Sequence, residues 1–172
     1  MQRRVVIVGT GHAAAQLASS LRQQNWQGEI LLVGEESQAP YQRPPLSKDY
    51  LAGERTADNI LIRPAAAYAS HGVDLLTGRR VLSIDRTAKM VALEDGQQLS
   101  YQKLALCTGA RARPASIRGV GSPGVFYLRT LADVDGIRAN ISPGKSAVII
   151  GGGYIGLEAA AVLRGLGMAV TL

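Results

Sequence analysis

The first residues that could do chemistry form a glycine-rich turn near the start of the sequence. Gly9, Gly11 and Ala14 follow the pattern G-x-G-x-x-(G/A). Gly9 permits a tight turn, Gly11 lets a phosphate approach the backbone, and Ala14 is small enough for a helix to pack on its own strand. The apolar residues 5–8 predict that strand, and the alanine-rich residues 12–24 predict the helix whose N-terminus would hold the phosphates. This context favours a dinucleotide site over a merely structural glycine turn.

The same pattern returns near the other end of the chain. Gly151, Gly153 and Gly156 follow a predicted strand over 146–150 and precede a predicted helix over 157–166. Two complete motifs are stronger evidence than one, because each has the strand and the helix that the motif requires. We therefore predict two dinucleotide sites. The acid that would bind the second ribose is expected just after the last residue, which leaves the choice between NADH and NADPH open.

Charged residues that could accompany the first turn follow the second predicted strand. Glu35 comes close to the position expected for a carboxylate that hydrogen-bonds an adenosine ribose, although a solvated loop carboxylate is the alternative. Pro44 and Pro45 stop any preceding helix and favour the start of a new one. Arg43 and Lys48 would bring two cations near the phosphate turn, but a plain surface loop would also carry such charges.

The elements between the two turns predict an α/β protein. Asp95-Gly96 is typical of a hairpin turn between two strands. Further strands are predicted over 29–33, 73–76, 81–85, 89–94, 98–104, 103–109 and 168–172, and further helices over 63–70 and 131–140. We predict a Rossmann-like domain with an inserted β-meander over 1–110, followed by the start of a second Rossmann domain over 111–172. That second domain is expected to be incomplete, because a doubly wound sheet needs more parallel strands.

Composition and charge exclude several classes of protein. The single cysteine, Cys107, rules out an intramolecular disulfide and a CxxC metal or redox site within these residues. The net charge of +6 comes from scattered basic residues without interleaved aromatics, which gives nucleic-acid binding little support. No run of apolar residues is long enough to span a membrane, and a cytoplasmic protein fits best. Oligomeric state is not indicated by the sequence.

Taken together, these residues resemble the flavin-dependent pyridine nucleotide reductases of the ferredoxin reductase type, the group that includes putidaredoxin and rhodocoxin reductases. The most specific match is the segment PYQRPPLSKDYL over 40–51. Weaker matches are Thr108-Gly109-Ala110, the LRT segment over 128–130 and the GGGYIGLE segment over 151–158. The resemblance covers the whole chain but only the N-terminal part of such a protein. It implies FAD at the first turn and NAD(P)H, with NADH favoured, at the second.

Carried over position by position, the resemblance implies a set of site residues. The implied FAD contacts are Gly9, Gly11, Ala13 and Ala14 at the pyrophosphate, Glu35 at the ribose, Arg43 and Lys48 along the cofactor, the backbone of Val81 near the adenine, Thr108 and Gly109, and Arg129 near the flavin end. The implied NADH contacts are Gly151, Gly153, Ile155 and Gly156 at the pyrophosphate and Glu158 near the nicotinamide. Lys48 and Glu158, paired near flavin N5, are the catalytic candidates. No metal ligand is implied.

The resemblance also implies a route for the electrons. Related disulfide reductases have a redox-active cysteine pair after the second strand, where this chain has Arg43-Pro44-Pro45. The flavin would therefore take a hydride from NADH and pass single electrons directly to a small acidic iron–sulfur protein. A flavoprotein reductase subunit for rubredoxin or nitrite and a redox-sensing flavin-binding module stay open as alternatives. We expect the 172 residues by themselves to bind FAD weakly and to be inactive.

Overall fold

The computed structural model describes residues 3–172, which form two compact units. The first unit contains the described residues up to Tyr41 together with Leu61–Gly109, and the second contains Gln42–Ile60 together with Ala110–Leu172. The sequence-based boundary also falls near residue 110, but it leaves Gln42–Ile60 in the first domain. The assignment of the two domains to FAD and NAD(P)H stays a prediction.

Strands and helices alternate along much of the chain. The strands are β1 (Arg4–Val8), β2 (Glu29–Val33), β3 (Val73–Leu76), β4 (Val81–Asp85), β5 (Met90–Leu93), β6 (Gln98–Ser100), β7 (Lys103–Leu106), β8 (Ser146–Val148) and β9 (Ala169–Thr171). The α-helices are α1 (His12–Gln23), α2 (Asp49–Ala52), α3 (Ala65–Ser70), α4 (Leu131–Arg138) and α5 (Tyr154–Gly165), with 3-10 helices at Pro44–Ser47 and Asp58–Ile60. None of the helices within residues 3–172 has the length and apolar content needed to cross a membrane.

A four-stranded parallel sheet organises the first unit. Its strand order is β3-β2-β1-β7, so that β1 lies between β2 and β7. Val6 is opposite Leu31 on one side and Leu104 on the other. Because the strands are parallel, the turns that follow β1 and β7 meet at the same edge of the sheet. The predicted α/β class and the Rossmann-like arrangement are confirmed.

Both faces of this sheet are covered, which explains the continuous apolar run of β1. Val5 and Ile7 face one side and pack in a core with Ala14 and Ala18 of α1. Val6 faces the other side and packs with buried residues of the antiparallel β4-β5-β6 meander, namely Val91, Leu93 and Leu99. The predicted meander is therefore present, and it serves as the second cover of the sheet.

The predicted strand over 98–104 is wrong, because two strands share these residues. β6 ends at Ser100 and β7 begins at Lys103. Between them the backbone N–H of Tyr101 donates to Lys89, next to β5, and that of Gln102 donates to Arg4 of β1. The chain therefore leaves the meander and joins the parallel sheet at this point. The apolar pattern of the sequence continues without a break through these residues, although the neighbouring strand changes from β5 to β1.

The second unit contains the β8-α5-β9 segment, in which β8 and β9 are parallel. The predicted helix start at 157 is corrected to Tyr154, because Gly153 is the N-cap and its carbonyl accepts the N–H of Leu157. The predicted strand over 146–150 ends earlier, at Val148, where the chain turns into the glycine-rich segment. Helix α4 begins with a capping box, in which Thr130 and Asp133 bond to each other's backbone N–H groups.

The Gln42–Ile60 segment is held against α4 within the second unit. The hydroxyl of Tyr50 donates to Oδ1 of Asp135 at 2.6 Å. The guanidinium of Arg138 lies over the Tyr50 ring, 5.1 Å from its centroid. This hydrogen bond and cation–π contact fix α2, and with it the residues that immediately precede α2.

Candidate functional site

The turn after β1 has the geometry of a phosphate-binding loop. Gly9 has φ +121°, and a Cβ atom there would lie 2.1 Å from the carbonyl oxygen of Cys107, so the position requires glycine. A Cβ at Gly11 would have no atom within 4 Å. Gly11 is also the N-cap of α1 and supplies no side chain to its first N–H groups. Open space thus faces the backbone N–H groups of a helix N-terminus, as a pyrophosphate requires.

The turn after β8 repeats this geometry. Gly151 has φ +124°, and a Cβ at Gly153 would have no atom within 4 Å. Gly153 is the N-cap of α5 and likewise supplies no side chain to the first turn. A Cβ at Gly156 would lie 2.1 Å from the carbonyl oxygen of Gly151, whereas the first turn accommodates the buried methyl group of Ala14 at the equivalent place. Both turns therefore fit a dinucleotide phosphate.

The other predicted FAD contacts of the first unit lie around the same sheet. Glu35 follows β2 with an exposed side chain, and its Oε2 is 4.0 Å from Nε of Arg80. Val81 begins β4, while Thr108 and Gly109 follow β7 at the edge where Gly9 turns. Ala13, in the first turn of α1, is exposed. Their contact with a cofactor stays a prediction.

A cleft of about 300 Å³ lies within the second unit. It contains Arg43, Lys48, Arg129, Ile155 and Glu158, which are all predicted site residues. The remaining lining residues are Pro44, Leu46, Ser47, Leu128 and Tyr154. The cleft therefore brings together residues that are far apart in the sequence, from the Gln42–Ile60 segment, the residues before α4, and the first turns of α5.

Both carboxylate oxygens of Glu158 are held by side chains of this cleft. Its Oε1 lies 2.7 Å from Nζ of Lys48, and its Oε2 accepts a hydrogen bond of 2.6 Å from the hydroxyl of Ser47. The hydrogen bond from Lys48, followed by that from Ser47, holds the pKa of Glu158 below its ordinary value, so the carboxylate is ionised at neutral pH. The predicted pairing of Lys48 with Glu158 is present, and its role near a flavin stays a prediction.

Two arginines of the cleft are held by backbone carbonyl oxygens. Nη1 of Arg43 donates to the carbonyl of Arg129 at 2.7 Å, and Nε of Arg129 donates to that of Ala110 at 2.9 Å. These contacts link the segment before the 3-10 helix to the segment before α4. They fix the backbone of both segments around the cleft. The sequence shows that the two residues are charged, but it does not show that they bind backbone carbonyl groups.

Ser47 and Tyr154 line the cleft, although neither is among the site residues predicted from the sequence. Ser47 is a polar residue with only 4% of its surface exposed, and Tyr154 lines the cleft from the first position of α5. The signal for Ser47 was its place directly before Lys48, but a serine inside a proline-rich turn has many ordinary structural roles. The signal for Tyr154 was its place inside the GGGYIGLE segment over 151–158.

The chain belongs to the pyridine nucleotide-disulphide oxidoreductase family, whose family model matches residues 3–172. It is 47% identical over 164 residues, or 95% of its length, to a probable ferredoxin reductase, CtmF, of Castellaniella defragrans, and covers 40% of that protein. It is 46% identical over 171 residues, or 98% of its length, to putidaredoxin reductase CamA of Pseudomonas putida, again covering 40% of that protein. The resemblance seen in the sequence is thus confirmed.

A solved structure shows the same similarity in three dimensions. Putidaredoxin reductase, in its covalent complex with putidaredoxin, matches 99% of this chain with a TM-score of 0.91 and 45% identity. The match covers 42% of the putidaredoxin reductase chain. The present sequence therefore spans about two-fifths of the length of the relatives that it matches.

Proposed function

We propose that this chain is part of an FAD-dependent NAD(P)H reductase of the ferredoxin reductase type, with FAD at the first glycine turn and NADH, favoured over NADPH, at the second. The observation that carries the proposal is the repeated geometry of the two turns, at Gly9 and Gly151. Each has a glycine with positive φ, an open N-cap and a following helix. When bound, FAD supplies the chemistry that accepts a hydride and releases single electrons.

The residues of the first unit would bind and orient the FAD. The N–H groups at the start of α1, beside Gly11, would bind its pyrophosphate, and the small, exposed Ala13 would leave room for the phosphate. The methyl group of Ala14 packs in the core and lets the start of α1, with its N–H groups, lie close to the sheet. Glu35 lies after β2, where a carboxylate can accept hydrogen bonds from a ribose. Thr108 and Gly109 would border the same edge of the sheet.

The Lys48–Glu158 pair would supply the electrostatics of the reaction. A fixed ammonium group stabilises negative charge that develops nearby, and it does so without reorganisation when its own position is already set. The Glu158 carboxylate sets that position at 2.7 Å. A dithiol relay within these residues is excluded, because Cys107 is their single cysteine. We propose that electrons leave the flavin directly.

A small acidic iron–sulfur protein is the proposed electron acceptor. The chain carries a net charge of +6, which would attract an acidic partner and speed its association. The similar putidaredoxin reductase has been solved in complex with putidaredoxin. A cytoplasmic location is part of the proposal, because the reaction uses NADH.

The Lys48→Met variant tests the proposed function. In the protein expressed from its complete natural reading frame, we expect flavin reduction by NADH to slow by about a hundredfold in stopped flow, as when a preorganised electrostatic contact is removed. The melting temperature should change little, because the Lys48 side chain is 45% exposed and its ion pair with Glu158 is partly solvated. Lys145→Met, at an exposed lysine of the same unit, is the matched control. Equal reduction rates in the Lys48→Met variant and the parent would reject the role of Lys48.

Cys107 is predicted to have no part in the reaction. Burial raises the pKa of its thiol, so the reactive thiolate is scarce at neutral pH. Its side chain packs against the core on the α1 face of the sheet. We expect Cys107→Ala in the full-length protein to keep its turnover with ferricyanide and with an iron–sulfur acceptor. A loss of more than about tenfold, roughly 1.4 kcal/mol in the barrier, would indicate a thiol-based mechanism.

A further inference from the structure

We propose that Ser47 is a positioning residue, whose hydroxyl holds the Glu158 carboxylate so that its other oxygen stays on the Lys48 ammonium. The inference rests on the proposed function for its catalytic consequence. Its structural part, the coupling between Ser47 and Glu158, can be measured independently.

The first support is the location of Ser47. It is the last residue of the Pro44–Ser47 3-10 helix, and its side chain is buried with 4% of the residue surface exposed. Pro44 and Pro45 have fixed φ angles, so the turn that carries the hydroxyl has little freedom to move. A buried hydroxyl needs a hydrogen-bond partner, and this one donates to Oε2 of Glu158 at 2.6 Å.

The second support is that two consecutive residues each bind one oxygen of the Glu158 carboxylate. Oε2 of Glu158 accepts from Ser47, and Oε1 lies on Lys48. With both oxygens held, the carboxylate cannot turn about its last torsion angle without breaking one contact. If only the Lys48 contact were present, a long flexible lysine and a free carboxylate would sample many geometries, because an ion pair with partly exposed members is weakly oriented.

The charges around Glu158 leave Ser47 a distinct role. Arg43 and Arg129 line the same cleft, as does the phenol of Tyr154. Arg43 and Arg129 each donate to a backbone carbonyl, whereas Lys48 makes the close ion pair with Glu158. The positive charge of Lys48 therefore attracts the Glu158 carboxylate, and the hydrogen bond from the neutral Ser47 hydroxyl fixes the orientation of that carboxylate.

The structural part is tested by titrating the side-chain carboxyl carbon of Glu158 by NMR in full-length protein labelled with ¹³C-glutamate. Glu158→Gln identifies the signal. Hydrogen bonds to the ionised form lower a carboxyl pKa, so Ser47→Ala should raise the pKa of Glu158 relative to the parent. Ser37→Ala removes an exposed hydroxyl that bonds to Gln38 and should leave this pKa unchanged. An unchanged pKa in folded Ser47→Ala overturns the proposal.

A second variant covers the case in which Ser47→Ala does not fold. Ser47→Cys keeps a side chain of similar shape, and its thiol is a weaker donor. We expect it to raise the pKa of Glu158 in the same direction, between the parent and Ser47→Ala where both can be measured. A pKa equal to that of the parent would overturn the proposal.

The catalytic consequence is tested by a double-mutant cycle on flavin reduction by NADH. Ser47→Ala should slow reduction by about tenfold, the size expected for a lost hydrogen bond to a charged group. It should cause no further loss in the Glu158→Gln background, because Ser47 acts through Glu158. Full loss in that background would overturn the proposal. A shifted Glu158 pKa together with equal reduction rates in the Lys48→Met variant and the parent would support the coupling and reject the role of Lys48. A shifted Glu158 pKa in a full-length protein that does not bind FAD would support the coupling and reject the proposed function.

Discussion

Full-length protein carrying Gly11→Val is expected to purify without flavin colour while folding as the parent does. Gly11 has φ −93° and ψ −168°, an extended conformation that any residue adopts. A Cβ there would meet no atom within 4 Å, so the folded chain accommodates a side chain. The valine would instead occupy the space in which the FAD pyrophosphate approaches the backbone. We expect a loss of at least a hundredfold in FAD affinity, or about 2.7 kcal/mol.

The measurement is the visible spectrum of the purified protein and the FAD released from it on denaturation, together with the melting temperature in the absence of added FAD. Gly153→Val is the matched control, since it makes the same change at the second turn, where a Cβ also meets open space. That variant should retain FAD and lose NADH binding. A stoichiometric flavin spectrum in Gly11→Val would show that the first turn does not hold FAD.

Gly9→Ala is expected to have the opposite effect, a loss of stability before any loss of binding. Its Cβ would lie 2.1 Å from the carbonyl oxygen of Cys107, which is backbone and cannot rotate away. The backbone N–H of Gly9 also donates to Val33 at 2.7 Å, and that of Cys107 donates to Val8 at 2.7 Å. These hydrogen bonds hold the turn against β2 and the end of β1 against the residue after β7. The clash could therefore be removed only if the central strands moved apart. The clash and the φ of +121° at this position should together lower the free energy of unfolding by about 3 kcal/mol or more.

Urea unfolding of the full-length protein after removal of flavin, followed by circular dichroism, measures this cost, because bound FAD would add its own stabilisation to the variants that retain it. Gly11→Ala is the control, because it adds the same methyl group two residues away in open space. It should unfold within about 0.5 kcal/mol of the parent. A Gly9→Ala variant as stable as Gly11→Ala would mean that the turn does not have the backbone geometry described above.

The sequence by itself determined the local elements and both glycine turns. The apolar run before Gly9 and the alanine-rich run after it predicted β1 and α1, because side-chain periodicity and the backbone freedom of glycine are properties of neighbouring residues. The second turn at Gly151 followed from the same signals. Asp95-Gly96 located the hairpin of the meander, because only a few residue types readily adopt the backbone conformation of a tight turn.

The sequence could not locate the residues at which the chain passes from one sheet to the other. The apolar pattern over 98–104 continues through Tyr101 and Gln102, although the chain leaves β5 for β1 there. Strand periodicity records which side of a strand is buried and does not record which strand lies beside it. The order β3-β2-β1-β7, in which the last strand joins the first, is likewise a property of the assembled sheet.

Only the tertiary structure decided how the cleft of the second unit is built. The sequence supplied Lys48 and Glu158 as candidates through the family resemblance, but Ser47 and Glu158 are 111 positions apart, and no local pattern connects a buried serine to a distant carboxylate. The packing of Gln42–Ile60 with the chain beyond residue 110 brings them together. Hydrogen bonds between distant segments depend on where the folded backbone places each group, which is why the residues that hold the carboxylate could be identified only in the folded protein.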